Sequence, residues 1–199
     1  MTDLVRYAAA LDGVAGGGLP PVEAWDPPFC GDSGVVIRRD GVWVHDGTPI
    51  ARAALVRLFS TVLRRDGDDY FLVTPAEKVS VQVEDAPFLA VLLEADGDGR
   101  GQTLTFVTNV GDRVVVDADH ALTYRDAPVG LATDGRAPYL HVRRGLEARV
   151  ARAAYYDLVE RGELAPTGDG GADDAPCFGV WSRGIFFPFA TADEVFPDA

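Results

Sequence analysis

Lysine is nearly missing from this chain: of 18 basic residues only Lys78 is a lysine, and the rest are arginines. The only cysteines, Cys30 and Cys177, are too few for a disulfide framework or a four-cysteine zinc site. The three histidines, His45, His120 and His141, show no metal-ligand spacing and no HExxH pair. A phosphate-binding P-loop is excluded because the lone lysine follows Glu77 rather than a glycine. No apolar run approaches membrane-spanning length, and the run after Arg6 is too short for a signal-peptide core. The reading is therefore a cytoplasmic bacterial protein with no membrane association, no cofactor and no metal.

What the chain does hold is acid. Its 199 residues carry a formal charge of −13, a field that repels nucleic-acid backbones and anionic lipids. A local group of arginines can still hold a small anionic ligand. A hydrophobic fraction of 47% and a charged fraction of 25% are those of an ordinary globular protein.

Residues 3–12 are predicted as a short helix, ended by the glycine-rich GVAGGG. Prolines 20, 21, 27 and 28 then forbid helix and regular sheet, so LPPVEAWDPPFCG is expected to run as an extended arm anchored by Trp25 and Phe29. GVVIRRDGVWVHDG reads as a β-hairpin turning at Asp40-Gly41. Over 51–65, Leu55, Leu58, Phe59, Val62 and Leu63 recur at helical spacing, with Thr48-Pro49 before the helix and Gly67 at its end. YFLV and VSVQV are strands, APFLAVLLEA is a strand or linker, and DGDGRG is a loop. TLTFVTN, RVVVD, HALTY and PYLHV follow as strands. A second helix is expected over about 145–161, with Leu146, Val150, Ala154 and Leu158 on one face, before the strands CFGVW and GIFFPF.

The order strands, helix, strands thus occurs twice, and the two helices align without gaps over 52–67 and 147–162. This supports an α+β fold built from a duplicated unit of antiparallel strands packed on one amphipathic helix. The expected division is an N-terminal segment 1–19, a domain 20–95 and a domain 96–199.

The chemistry-bearing motifs mostly dissolve on inspection. Gly31-Asp32-Ser33-Gly34 has the letters of a serine-protease nucleophile, but no histidine precedes Ser33, so it is expected as the lead-in to a strand. Ser182 lacks the first glycine of a nucleophile elbow, since Val180 stands there. DGDGRG fails as a calcium loop at Arg100 and Val107. Asp117, Asp119 and His120 form the densest acidic cluster and are expected on a solvated turn. Thr74-Pro75-Ala76-Glu77-Lys78 joins two strands and carries the lone lysine, a compact charge suited to a phosphate or carboxylate. Asn109 is expected in a left-handed turn, and Trp181 beside Arg183 is able to stack on a ligand.

WDPPFCG, RRDGVWVHDGTPIARAALVRLFSTVLRR and YFLVTPAEKVSVQVEDAPFLA closely resemble the bacterial domain-of-unknown-function 1285 family. FVTNVGD, PYLHVRRGLEARVARAAYYDLV and GVWSRGIFFPF resemble its second half, so the likeness runs from about Trp25 to Phe189. One departure is Ser33-Gly34, where the family strand is expected to begin with an Ile-Asp-like pair. The resemblance implies a duplicated α+β fold whose C-terminal half is superficially pleckstrin-homology-like. It also implies a ligand site where the halves meet and a role in signalling, without any established activity. The residues assigned to that site by charge and position are Arg52, Thr74, Glu77, Lys78, Asn109, Arg143, Glu147 and Trp181. The leading expectation is a non-catalytic ligand-binding or signalling module for an anionic, nucleotide-like molecule, with Arg52, Lys78 and Arg143 supplying charge. The alternatives are acid–base catalysis through Glu77, Asp85 or His120, and a protein-interaction surface.

Overall fold

A computed structural model of the chain describes residues 18–128, 135–166 and 176–191. The helix predicted over 3–12 lies outside the described residues. The chain divides into two compact units, the first reaching Pro87 and including Arg144–Leu146, the second formed by the remainder from Phe88 on.

Unit 1 is built on six strands: β1 (Phe29–Ile37), β2 (Trp43–His45), β3 (Thr48–Pro49), β4 (Leu63–Asp66), β5 (Asp69–Val73) and β6 (Lys78–Val83). They lie in the order β3-β2-β1-β6-β5-β4. The pairing of β1 with β6 is parallel, so the sheet is not purely antiparallel as expected. Alternation along β6 buries Val79 and Val81, and Ile37, Val35, Leu72 and Trp43 of the same unit are buried with them. Helix α1 (Ala53–Thr61), placed between β3 and β4, adds the fully buried Phe59.

Helix α1 is shorter than its periodicity predicts. Leu63–Asp66 instead pairs with β5 across a two-residue turn in which Gly67 takes φ +64, so Gly67 closes a hairpin rather than a helix. Arg64 and Arg65 are good helix formers, but tertiary pairing of β4 overrides their propensity. Thr48-Pro49 likewise forms β3 rather than the helix start.

The proline-rich arm contains one turn of 3-10 helix, Val22–Ala24, directly after Pro21. Its anchors are Val22, wholly buried, with Pro20 and Pro27. Trp25 is half-buried, and Phe29 is 59% exposed on β1 against the edge of Phe71, so neither anchors the core.

GDSG is a bulge inside β1 rather than the lead-in to it. Register shifts fall on both sides of Asp32, and Gly31 and Gly34 take φ +99 and +67. The Ser33 hydroxyl donates to Ser80 O at 2.6 Å and accepts from Val35 N at 3.1 Å. Its hydrogen-bonding capacity serves the sheet.

Unit 2 repeats the same sheet. Strands β7 (Phe88–Asp96), β8 (Thr103–Thr108), β9 (Arg113–Val115), β10 (Leu122–Asp126), β11 (Arg136–Arg143) and β12 (Leu146–Val150) take the order β10-β11-β12-β7-β8-β9. Read from the other edge, this is the unit 1 order. In each unit two three-strand meanders join through a parallel pair, β1 with β6 and β7 with β12. APFLAVLLEA is thus mostly strand, and unit 2 begins within it at Phe88.

The helices do not correspond. Helix α1 separates the meanders of unit 1, while α2 (Arg152–Val159) follows both meanders of unit 2. The gapless alignment of 52–67 with 147–162 therefore matches composition, not equivalent elements. Residues 146–150 are strand rather than the start of the predicted helix. Val150 is buried from β12, and Ala154 and Leu158 are buried from α2. A further sheet of β13 (Glu163–Pro166), β14 (Pro176–Ser182) and β15 (Ile185–Thr191) completes the unit. No helix among the described residues is long and apolar enough to cross a membrane.

Candidate functional site

Unit 1 carries a cavity of about 500 Å³ lined by Glu23, Trp25, Asp26, Arg64, Arg65, Asp66 and Arg144. Three elements supply it. The arm brings Glu23, Trp25 and Asp26; β4 brings Arg64, Arg65 and Asp66; the two-residue turn between β11 and β12 brings Arg144.

Strand geometry sets up its centre. Arg64 and Asp66 are two residues apart on β4 and therefore share one face. Arg64 Nη2 donates to Asp66 Oδ2 at 2.8 Å, while Nε lies 2.8 Å from Oδ1, an ion-pair contact off the line of a hydrogen bond. Arg64 Nη1 donates to Val22 O at 2.9 Å and Trp25 O at 2.8 Å, so one guanidinium ties the arm to the strand. Lys78 Nζ reaches Asp66 Oδ2 at 3.3 Å from β6. The Arg64 hydrogen bond, against the opposing effect of burial and with help from Lys78, holds the Asp66 carboxyl below its ordinary range.

Arg144 has a left-handed backbone, φ +50, followed by Gly145 at +72. Asparagine, aspartate or glycine is the usual occupant of that position in a two-residue hairpin turn. Here an arginine occupies it and points two donors at the arm: Nη1 to Pro20 O at 3.0 Å, and Nε to Glu23 Oε1 at 2.9 Å. Arg65 donates from Nε to Gly67 O at 2.8 Å and makes two longer contacts, 3.4 Å to Gly145 O and 3.3 Å to Asp68.

None of the eight residues selected from the sequence lines this cavity. In unit 1, Arg52 is exposed and caps α1 with its carbonyl, accepting from Leu55 N at 2.9 Å. Buried Thr74 accepts at Oγ1 from Ala76 N and from Glu77 N, a closed local turn. Lys78 stands behind the cavity through Asp66 and packs over the Phe71 ring.

In unit 2, Asn109 accepts at Oδ1 from Leu89 N at 3.0 Å. It is not the left-handed residue of its turn; Gly111, at φ +90, is. Arg143 pairs with Asp112, and Glu147 accepts from Arg125. Trp181 donates to Glu163 Oε1 at 2.5 Å with the Arg100 guanidinium over its ring. The Asp117 cluster is a turn: Asp117 Oδ1 accepts from Asp119 N, His120 N and the His120 ring. Burial opposes ionisation of Asp117, but these bonds outweigh it and lower its pKa. Ser182, wholly buried, donates to Val116 O and accepts from Leu104 N. A smaller, acid-rich cavity of about 340 Å³ includes Asp98, Gln102, Glu160, Arg161 and Glu163. Among the described residues no three His, Cys, Asp or Glu side chains converge to hold a metal.

Sequence reasoning missed Arg64, Asp66 and Arg144. An Arg-x-Asp alternation in a strand was the available signal for the first two. An Arg-Gly hairpin turn was the signal for the third.

These features define a class: a two-unit α+β protein of repeated six-stranded sheets, with a charged cavity under an N-terminal arm. The chain belongs to the DUF1285 family. Residues 20–86 match the model described as domain of unknown function (DUF1285), N-terminal domain. Residues 87–189 match that of the C-terminal domain. A crystal structure of a DUF1285 family protein from Silicibacter pomeroyi DSS-3 is similar, with 45% identity over 95% of this chain and 97% of that one and a TM-score of 0.83. One from Shewanella baltica OS155 is 33% identical over 65% of this chain and 92% of that one, with a TM-score of 0.50. No curated protein matches the chain.

Proposed function

We propose that the protein is a non-catalytic small-ligand-binding module whose ligand presents an anionic head to Arg65 and Arg144 in the unit 1 cavity. The chemistry is that expected from the sequence, a small anion held by basic side chains, but we assign it to Arg65 and Arg144 in place of Arg52, Lys78 and Arg143. The observation that carries the reading is an arginine held at φ +50 and aimed at a concave, tryptophan-lined surface. A non-glycine residue in that conformation costs on the order of 1 kcal/mol, which marks a position where the side chain matters. The volume falls within the range of small-molecule sites. Trp25, half-buried, offers a flat apolar wall.

Relay of the bound state to a protein partner, hence signalling, is the proposed use. The arm is its proposed moving part, since it holds the cavity's outer wall through Arg64 and Arg144. A pleckstrin-homology-like character for the C-terminal half belongs to the same proposal.

The test is a thermal-shift screen of the full chain against small carboxylates, phosphates and amino acids. A ligand at a hundredfold over its dissociation constant stabilises by about 2.7 kcal/mol. Arg65→Ala and Arg144→Asn are expected to abolish the shift. A ligand that stabilises both variants as it does the parent binds elsewhere and removes the reading.

A further inference from the structure

We infer that the ligand class of this cavity is a small zwitterion, an α-amino-carboxylate, rather than a polyanion; the inference rests on the binding reading above. It follows from the charge inventory of the lining. Three guanidiniums, Arg64, Arg65 and Arg144, face three carboxylates, Glu23, Asp26 and Asp66, so the wall as a whole is neutral. A site for a nucleotide or another multiply charged phosphate needs an excess of cations, as arginine clusters provide. This cavity has none.

The pairs within the wall show which charges are already committed. Asp66 is taken up by Arg64 and Lys78. Glu23 is taken up by Arg144 Nε. Two of the Arg64 bonds go to arm carbonyls. Two sets of groups are then left to address a ligand. Arg144 uses Nε and Nη1 only, and a guanidinium has five N–H donors. Arg65 adds to it, since its contacts to Gly145 O and Asp68 are long and Asp68 is fully solvated. These donors suit one carboxylate.

The second set is Asp26. It is exposed, lines the cavity and engages no cation among the described residues. An anion entering beside Asp26 meets an unneutralised carboxylate of its own sign. A ligand that brings an ammonium alongside its carboxylate neutralises Asp26 and Arg144 together. The Trp25 ring, which lines the same cavity, accepts an apolar or flat side chain and is able to stack against the ammonium itself. A site built from both signs favours molecules that carry both, because a ligand lacking one leaves Asp26 or the arginine pair without its opposite charge.

The experiment is isothermal titration of the full chain with L-phenylalanine, L-tryptophan and L-leucine. The comparison probes are 3-phenylpropionate, which lacks the ammonium, phenethylamine, which lacks the carboxylate, and AMP. The inference expects at least one amino acid to bind at least tenfold more tightly than all three comparison probes. It also expects Asp26→Asn, an exposed substitution that leaves the fold intact, to remove the tenfold margin over 3-phenylpropionate without weakening 3-phenylpropionate itself. If 3-phenylpropionate or AMP binds as tightly as any amino acid and Arg144→Asn weakens it, the cavity is an anion site and the zwitterion is wrong. If none of the six probes binds, the binding reading falls with it.

Discussion

Arg64 and Asp66, two residues apart on β4, form a two-point ion pair whose guanidinium also fastens the arm through Val22 O and Trp25 O. One side chain therefore holds strand, arm and cavity wall together. Only 11% of the Arg64 side chain is exposed, so its contacts are poorly replaced by water. Arg64→Ala is expected to destabilise unit 1 by about 2 kcal/mol, since Trp25 O loses its Arg64 donor, Val22 O keeps only the longer bond from Trp25 N, and Asp66 loses its partner. Arg64→Lys is expected to recover little, because an ammonium cannot reproduce the fork. Urea denaturation gives the size of the loss, and faster proteolytic cleavage around Trp25 would show that the arm is what comes loose.

Asp66 makes the same connection sensitive to acid. Its folded-state pKa is lowered, first by the Arg64 hydrogen bond and then by Lys78. A lowered carboxylate contributes stability that is present above the unfolded value, 3.8, and lost as pH falls through the folded value. The side chain is 37% exposed, so solvent screening keeps the effect modest. Asp66→Asn is expected to lower the melting temperature at pH 7 and to match the parent once pH falls well below 3.8. A constant difference down to acid pH would mean that packing, not charge, is what Asp66 provides.

The GDSG bulge offers a separate check on a structural role. Ser33→Ala removes a donor to Ser80 O and an acceptor for Val35 N. The expected cost is about 1–2 kcal/mol, from the buried Val35 N–H and the part-buried Ser80 O that lose this partner. Gly34→Ala forces φ +67 on a residue with a Cβ that would meet Asp46 Oδ1 at 2.5 Å. The aspartate can swing away, so the backbone strain, about 1 kcal/mol, sets the lower limit. Chemical denaturation of both variants gives these values.

Gly179 on β14 is more demanding. A Cβ there would sit 2.3 Å from Phe187 O and 2.9 Å from Pro188 Cα, both backbone atoms of the paired β15. Neither can move without breaking the ladder at the register shift beside Gly179. Gly179→Ala is expected to cost about 3 kcal/mol or more by overpacking. The loss should register in unit 2, where the fluorescence of Trp181 reports it. Arg64→Ala, in contrast, should register at Trp25.

The strands were legible because alternation is local: Val79, Val81 and Val83 announce β6 without reference to anything distant. Helix ends were not legible. Arg64, Arg65 and Glu147 suit a helix, and only pairing with β5 and β7 turns their segments into strands. The repeat was seen for an incomplete reason. A twice-occurring order of strands, helix, strands suggested it together with two similar helices, whereas the recurrence lies in the sheet order, which depends on long-range pairing. The cavity was hidden for the same cause. Glu23, Arg64 and Arg144 are far apart in the chain, and no spacing rule links an arm, a strand and a hairpin turn. Lys78 drew attention by its rarity, yet it acts through Asp66 rather than on the cavity itself.

Three tryptophans in three settings allow a direct test of where a ligand binds. Trp43 is buried in the unit 1 core, Trp25 lines the cavity, and Trp181 is tied to Glu163. The measurement is a ¹H–¹⁵N titration of the indole resonances with the tightest-binding amino acid, the Trp25 signal being assigned by Trp25→Phe. The account expects the Trp25 resonance to shift in a saturable manner while those of Trp43 and Trp181 stay in place. A ligand that shifts Trp181 and leaves Trp25 unmoved would contradict it.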